Sequence, residues 1–277
     1  MIRSSIARAV SSPVTRPVNG AKFSFETVMK KLFTNGEQGF FYDPNDLSTM
    51  FQDAAGTIPV TAVGQPVGLI LDKSGRNNHA RQTNSTSRPI LRQNSSTGAY
   101  YLEFDGSDDF LQTSNIDFTS TDKVSLFTGL RKLSDAVTAI VCELSANLNN
   151  NVGCFYLAAP SGSNSQRFGL VVKGNTPGNI ESNTLPAPIS ATLSTRIDLS
   201  SNKTNLRTNG ILSENISNYN RGNFRSHPLY IGRRGGTSLS FNGHIYSLIG
   251  VARLSTDTEI TAIEKELAKR LGVTLSV

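Results

Sequence analysis

The sequence predicts an all-β fold: an antiparallel jelly-roll sandwich carrying a C-terminal amphipathic helix and an extended N-terminal arm. Three observations lead there. Ser, Thr, Asn and Gly are abundant while long helical patterns are rare, yet the hydrophobic fraction of 37% supports a core. From about residue 96 short apolar segments recur, separated by Gly, Asn and Ser, as strands joined by turns do. Only the last segment keeps helical apolar spacing over about four turns. A chain of 277 residues holds one large β domain or two ordinary ones.

The first element is the arm, residues 1–36. Its opening, "MIRSSIARAVSSPVTRPVNGAKF", lacks the apolar block of a secretory signal but is Arg- and Ser-rich without an acid, as organelle transit peptides are. Residues 1–35 hold six basic side chains (Arg3, Arg8, Arg16, Lys22, Lys30, Lys31) against Glu26, a net of +5, which leaves +1 of the total +6 for the body. The basic character belongs to the arm, and long-range attraction to an acidic surface is its predicted use. In "SFETVMKKLF" the residues Phe25, Val28, Leu32 and Phe33 have helical spacing, and Asn35 and Gly36 suit a stop. So short a helix is marginal alone, so its apolar face docks on the body or on a neighbouring chain. The arm is therefore expected to bind a partner through Arg3, Arg8, Arg16, Lys22, Phe23, Phe25, Val28, Leu32 and Phe33.

The second part, 37–277, opens with a turn-rich lead-in, 37–95, in which Asp-Pro, Ala-Gly, Gly-Gln-Pro and Lys-Ser-Gly mark turns and only "PVGLILD" reads as a buried strand. It is expected to wrap the domain that follows. Then come ten candidate strands: "AYYLEFD", "DFLQTS", "KVSLFTGLRK", "AIVCELS", "GCFYLAA", "RFGLVVKG", "ATLSTRIDLS", "TNLRTNG", "PLYIGRR" and "FNGHIYSLIGVARL". The partial alternation in "VSLFTGL" and the apolar run "LIGVA" suit strands covered on both faces. The helix, 256–271, starts on a Thr256/Glu259 capping box, aligns Ile260, Ile263, Leu267 and Leu271, and ends at Gly272.

Little in the sequence points to conventional catalysis. Cys142 and Cys154 flank an Asn-rich turn and read as buried thiols of a protein folded under reducing conditions, although a hairpin disulfide is geometrically open. His79, His227 and His244 are scattered, whereas zinc needs three or four converging ligands. No nucleophile elbow, phosphate loop or dinucleotide fingerprint is present. No apolar run approaches the roughly 18 residues of a membrane span, and no nucleic-acid partner is expected.

Two stretches hold candidate sites. "YLEFDGSDDFLQ" gathers Glu103, Asp105, Asp108 and Asp109 within seven residues. Alternation turns Leu102 and Phe104 inward and Tyr101, Glu103 and Asp105 outward, with Gly106 turning the chain and the aspartates accepting backbone amides. Asp105, Asp108 and Asp109 are also weak calcium candidates, though the recognised calcium-loop spacing is missing. In "NYNRGNFRSHPLYIGRRGG", the residues Tyr219, Arg221, Phe224, Arg225, Arg233 and Arg234 mix aromatic and guanidinium groups as ligand and interface loops do.

Five segments taken in order, "YDPNDLSTMFQDAAGTIPV", "GQPVGLILDKSGRNNHARQ", "SRPIL", "YLEFDGSDDFL" and "GHIYSLIGVARLSTDTEITAIEKELAKRLGVTL", resemble the laminin-G-like, concanavalin A-like domains of bacteriophage and prophage proteins. The resemblance covers roughly residues 40–275. It implies a two-sheet jelly roll and a virion structural role in tail, fibre or capsid surface, assembled in the host cytoplasm. The arm would anchor it to other virion proteins or to copies of itself. The alternative it implies is a host-surface glycan-binding adhesin. Calcium at a sheet rim is common in the family. Glycanases of this fold carry a Glu-x-Asp-x-(x)-Glu strand, of which only Glu103 and Asp105 are present here, and the chain has no Trp for aromatic platforms. No enzyme activity is expected.

Overall fold

The computed structural model describes residues 24–276. Of the expected partner-binding residues, Arg3, Arg8, Arg16, Lys22 and Phe23 lie outside them. Helix α1 (Phe25–Leu32) leads into five short strands: β1 (Gly39–Tyr42), β2 (Met50–Phe51), β3 (Leu69–Ile70), β4 (Ala80–Arg81) and β5 (Ile90–Gln93). The regular part supplies β6 (Tyr100–Asp105), β7 (Leu111–Asp117), β8 (Lys123–Lys132), β9 (Ile140–Leu144), β10 (Cys154–Ala158) and β11 (Gly169–Lys173). It continues through β12 (Pro177–Glu181), β13 (Ile189–Asp198), β14 (Lys203–Thr208), β15 (Ile211–Ile216), β16 (Ser226–Ile231) and β17 (Asn242–Val251) to helix α2 (Asp257–Leu271).

The strands form two antiparallel sheets. One runs β15-β14-β13-β8-β17-β6-β5, with β1 also pairing β17. The other runs β12-β11-β10-β9-β16-β7-β4-β3-β2. The short strands of the lead-in join both sheets, β1 and β5 the first and β2, β3 and β4 the second. All ten candidate strands are present, whereas β1, β2, β4, β5, β12 and β15 were not foreseen and "PVGLILD" forms a strand only at Leu69–Ile70.

The core lies between the sheets, where Phe104, Leu130, Val141, Phe155, Leu193 and Leu248 are buried together. A second apolar layer covers the outer face of the first sheet. There Phe127, Ile249 and Val251 meet Ile260, Ile263 and Leu267 of α2, and Val28, Met29, Leu32 and Phe33 join from the N-terminal helix segment. Thus β8 and β17 are buried on both faces, as their apolar composition predicted. Gly129 permits the close approach, since a Cβ there would stand 3.3 Å from Leu271 Cδ1.

Helix α2 begins with the predicted capping box and ends on Gly272 at φ 71°, in the left-handed conformation. At α1, Ser24 caps the start, while Arg76 donates to the Phe33 carbonyl at 3.0 Å. Phe25 meets Phe41 edge-on at 5.9 Å and lies under the Arg270 guanidinium at 4.8 Å. Here a sequence expectation is corrected. Val28, Leu32 and Phe33 are buried against their own sandwich and helix, and Phe25 is half-buried there, so they are not a surface for another chain.

Both cysteines are free and buried. Cys142 faces Leu157 across the β9–β10 ladder, not Cys154, and burial pushes both thiols up to about 12.

Because α1 is part of the apolar layer, Leu32→Ala is expected to destabilise the whole domain by about 2–5 kcal/mol, the range for truncating a buried leucine to alanine. Urea denaturation followed by far-ultraviolet circular dichroism measures this. An unchanged midpoint would show α1 to be a detachable appendage.

Candidate functional site

The acidic stretch folds as its alternation predicts. Leu102 and Phe104 are buried, Tyr101 and Glu103 are half-exposed, Asp105 is exposed, and Gly106 turns the chain at φ 79°. Asp105 Oδ1 accepts from the Ser107 and Asp108 amides at 2.7 and 3.3 Å, and Asp109 Oδ2 accepts from the Asp105 amide at 3.1 Å. Asp108 Oδ2 takes the Ser87 hydroxyl at 2.6 Å. One oxygen from each carboxylate lies within 4.8 Å of the others. Calcium takes six to eight oxygen ligands, so the turn itself provides about half a coordination shell. Burial, then the negative charge of Asp105, pushes Asp109 up to about 6.

The aromatic and guanidinium loop is dispersed by the fold. Tyr219 and Phe224 are 0% exposed, so their assignment to a ligand loop is corrected. Tyr219 fits over the backbone at Gly178, where a Cβ would come within 2.6 Å of its ring, and its hydroxyl bonds Thr204 Oγ1. Phe224 packs edge-on against Phe155 at 5.9 Å. Arg221 and Arg225 remain exposed, while Arg233 donates to the Thr237 carbonyl within its own turn. Arg234 lies 5.0 Å above the Tyr156 ring and donates to Glu143 at 2.8 Å. Glu143 is 0% exposed and also accepts the Leu148 amide at 2.6 Å. That cluster ties the turn after β16 to the turn after β9. It is a brace, and its polar groups are already committed.

A more accessible arrangement lies on the outer face of the first sheet, beside the part that α2 covers. Strand register aligns Glu103, His244, Arg131 and Ser190 in one row across β6, β17, β8 and β13. The neighbouring pair on β5 and β6 is Arg92 and Tyr101. The rings of Tyr101 and His244 stack at 4.2 Å with 20° between planes, and Tyr246 tilts against Tyr101 at 4.9 Å. Beside them Arg92 Nε donates to Glu103 Oε2 at 2.7 Å, and the two side chains remain 44% and 36% exposed. Arg131 makes one long side-chain bond, 3.4 Å to Ser190 Oγ. Tyr246 Oη accepts from Asn94 at 3.1 Å. His244 Nδ1 is buried without a partner among the described residues. Burial lowers His244 to about 4, Glu103 opposing and Arg131 adding, so the imidazole is neutral at physiological pH.

Tyr101 and Glu103 were read from the sequence as outward-facing. His244, Tyr246 and Arg131 were missed. Their signal was the spacing of two between His244 and Tyr246 on an otherwise apolar strand, but nothing local says that this strand lies between β6 and β8.

Two partly or wholly buried groups in this region titrate with opposite consequences. Asp109 titrates near 6 in the fold against an ordinary 3.8, so the native chain holds the extra proton between those values and stability falls as pH rises. His244 titrates near 4 against 6.5, so the unfolded chain holds the extra proton and stability rises with pH. Relative to the parent, Asp109→Asn is expected to gain stability as pH rises through about 4–6. His244→Gln is expected to gain as pH falls from about 6.5 to 4. Denaturation midpoints across that range check both signs, and parallel profiles for the two variants would contradict them.

No family model matches the chain, and no curated protein matches it. Solved structures do. The chain is similar to the binding domain of Botulinum Neurotoxin DC in complex with SialylT, at 14% identity over 81% of this chain and 52% of that one, with a TM-score of 0.52. The same binding domain in complex with rat synaptotagmin II gives 14% identity, 72% and 49% coverage, and 0.51. The binding domain of Paraclostridial Mosquitocidal Protein 1 gives 12% identity, 72% and 49% coverage, and 0.54. The chain thus spans about half the length of these structures, and at such identities the likeness establishes one thing, a shared β-sandwich fold.

Proposed function

We propose that this chain is a non-catalytic carbohydrate-recognition domain that holds a saccharide against the Tyr101–His244 face, with the buried Tyr246 ring behind it as support. The observation that carries the reading is the stacked, half-exposed Tyr101 and His244 rings standing beside an exposed acid–guanidinium pair. A pyranose has an apolar C–H face that packs on aromatic rings, and a rim of hydroxyls that both donate and accept. Glu103 supplies an acceptor, Arg92 and Arg131 supply donors, and the Tyr101 hydroxyl has no partner among the described residues. A few fixed polar groups on an apolar floor are the usual composition of a small-ligand site. The fold is shared with toxin binding domains, one of them in complex with SialylT, which makes a recognition role the natural setting for such a face.

Hydrolysis has less behind it. Both glycosidase mechanisms need a second carboxyl group across the scissile bond, about 5–10 Å away. The row through Glu103 continues into His244, Arg131 and Ser190 and holds no second acid. The face therefore reads as a grip. The virion-attachment reading has no observation in residues 24–276 behind it, because the apolar side chains it would use are buried in the chain's own fold.

Binding to a glycan array, followed by calorimetry on the best ligand, tests the proposal. A dissociation constant of about 0.1–1 mM is expected for so open a face, with Tyr101→Ala and Arg131→Ala each weakening it about tenfold. Affinity should stay level between about pH 6 and 8, because His244 is neutral throughout. The parent should release no reducing sugar, leaving Glu103→Gln nothing to abolish. Failure of the parent to bind any glycan, or undiminished binding by Tyr101→Ala, would falsify the assignment.

A further inference from the structure

The same outer face holds a second feature on the other flank of α2, where β13, β14 and β15 extend past the helix. Their registers place Asp198, Lys203 and Ile216 in one row, Arg196, Asn205 and Glu214 in the next, and Ser194, Arg207 and Leu212 in a third. Asp257, Ile260 and Thr261 of α2 form a wall above them. Between wall and sheet lies a groove of about 260 Å³, and a second hollow of about 190 Å³ adjoins it through Arg196, Lys203 and Asn205.

Asn205 stands at the centre of this floor, and its Oδ1 is buried without a hydrogen-bond partner. The absence is notable because three cations surround it. Each is turned to a carboxylate instead: Arg196 to Asp257 at 2.6 Å, Arg207 to Glu264 at 2.9 Å, and Lys203 to Glu214 at 3.2 Å. A buried acceptor left unpaired is destabilising, so the fold carries a penalty that is relieved when the Asn205 amide turns Oδ1 toward a donor in the groove. The matched charges give the groove no net attraction for an anion. Leu212 and Ile260 add apolar surface at opposite sides. The fitting ligand is neutral, donates a hydrogen bond downward and accepts others at the rim. A sugar ring does all three.

We propose that this groove is a second saccharide subsite, separate from the tyrosine face, holding one neutral pyranose by a hydroxyl donated to Asn205 Oδ1 once the Asn205 amide turns into the groove. The choice of ligand class rests on the carbohydrate-recognition reading above, while the site itself rests on the groove and its unpaired acceptor. The Lys203–Glu214 pair, with each side chain roughly half-exposed, stands at the rim and offers a donor and an acceptor to ring hydroxyls.

The test is a nuclear magnetic resonance titration of the full chain with methyl α-glucopyranoside, galactopyranoside and mannopyranoside, and separately with inorganic phosphate. Resonances of Ser194, Asn205, Arg207 and Thr261 report this groove, and those of Tyr101, His244 and Arg131 report the other face. At least one pyranoside should shift the groove set. Asn205→Leu, of similar volume but without the acceptor, should weaken that binding at least about tenfold while leaving thermal stability equal or higher. Asn205→Asp, which keeps an acceptor, should retain it, and Tyr101→Ala should leave the groove shifts unchanged. The proposal is overturned if no pyranoside moves the groove set, if Asn205→Leu binds as the parent does, or if phosphate binds there more tightly than every pyranoside. Shifts confined to the tyrosine set would sink the groove alone, and shifts confined to the groove would sink the tyrosine-face reading alone.

Discussion

The apolar layer between the two helices and strands β8 and β17 is the constraint on which the rest of the molecule depends. Phe127, Ile249 and Val251 point away from the inter-sheet core, and bare they would form a water-exposed greasy strip at the middle of the sheet. Helix α2 covers most of it and α1 closes the edge, so both helices are held by the same side chains that they shield. Burial at about 25 cal/mol per Å² makes such a layer worth more than any ion pair around it. It also decides where the sheet stays open. Polar rows survive only on the flanks, through His244 on one side and Asn205 on the other, because the centre is taken.

The charged groups divide along the same lines. Arg234 and Glu143, and Arg270 with Asp43 at 2.7 Å, are largely buried pairs that fix turns and helix ends. Breaking either would leave a charge without water, so they act as braces and offer nothing outward. Arg92 with Glu103 and Lys203 with Glu214 are exposed pairs of little value to stability. A ligand hydroxyl competes with such a pair at low cost. Accessibility, more than residue type, separates the guanidinium groups that can recognise from those that hold the fold.

Much of the architecture was legible because it rests on local periodicity. The capping box at Thr256 and Glu259, the stop at Gly272 and the ten strand segments each need only neighbouring residues to be read. What failed was long-range. The edge strand β12 begins at Pro177 and has little apolar alternation, so its place is set by pairing with β11. Tyr219 sits among Asn and Arg and looks solvated, yet Gly174 and Gly178 leave the space that buries it. Of the candidate site, Tyr101 and Glu103 faced outward as their strand alternation required. Their companions stand on β17 and β8, and which strands become neighbours in a sandwich is a property of topology that no local pattern records.

The two polar flanks lie on one sheet, which gives their separation a consequence. Each offers a small area and a handful of hydrogen bonds, enough for weak binding on its own. Flexible loops would let each site order itself around a ligand and would charge the conformational cost to binding. Here the groups stand on paired strands, with β8 and β17 locked from both sides, so that cost is met when the chain folds. On the proposed reading, two weak sites in fixed relation would discriminate by spacing: a branched or repeating glycan that reaches both would gain the second contact at high effective concentration, whereas one of the wrong length would gain only the first. The apolar layer under α2 thereby becomes a ruler. It sets the distance between the flanks, so on the proposed reading substitutions inside it would act on recognition through geometry, and Ile260, which also lines the groove, would act by contact as well.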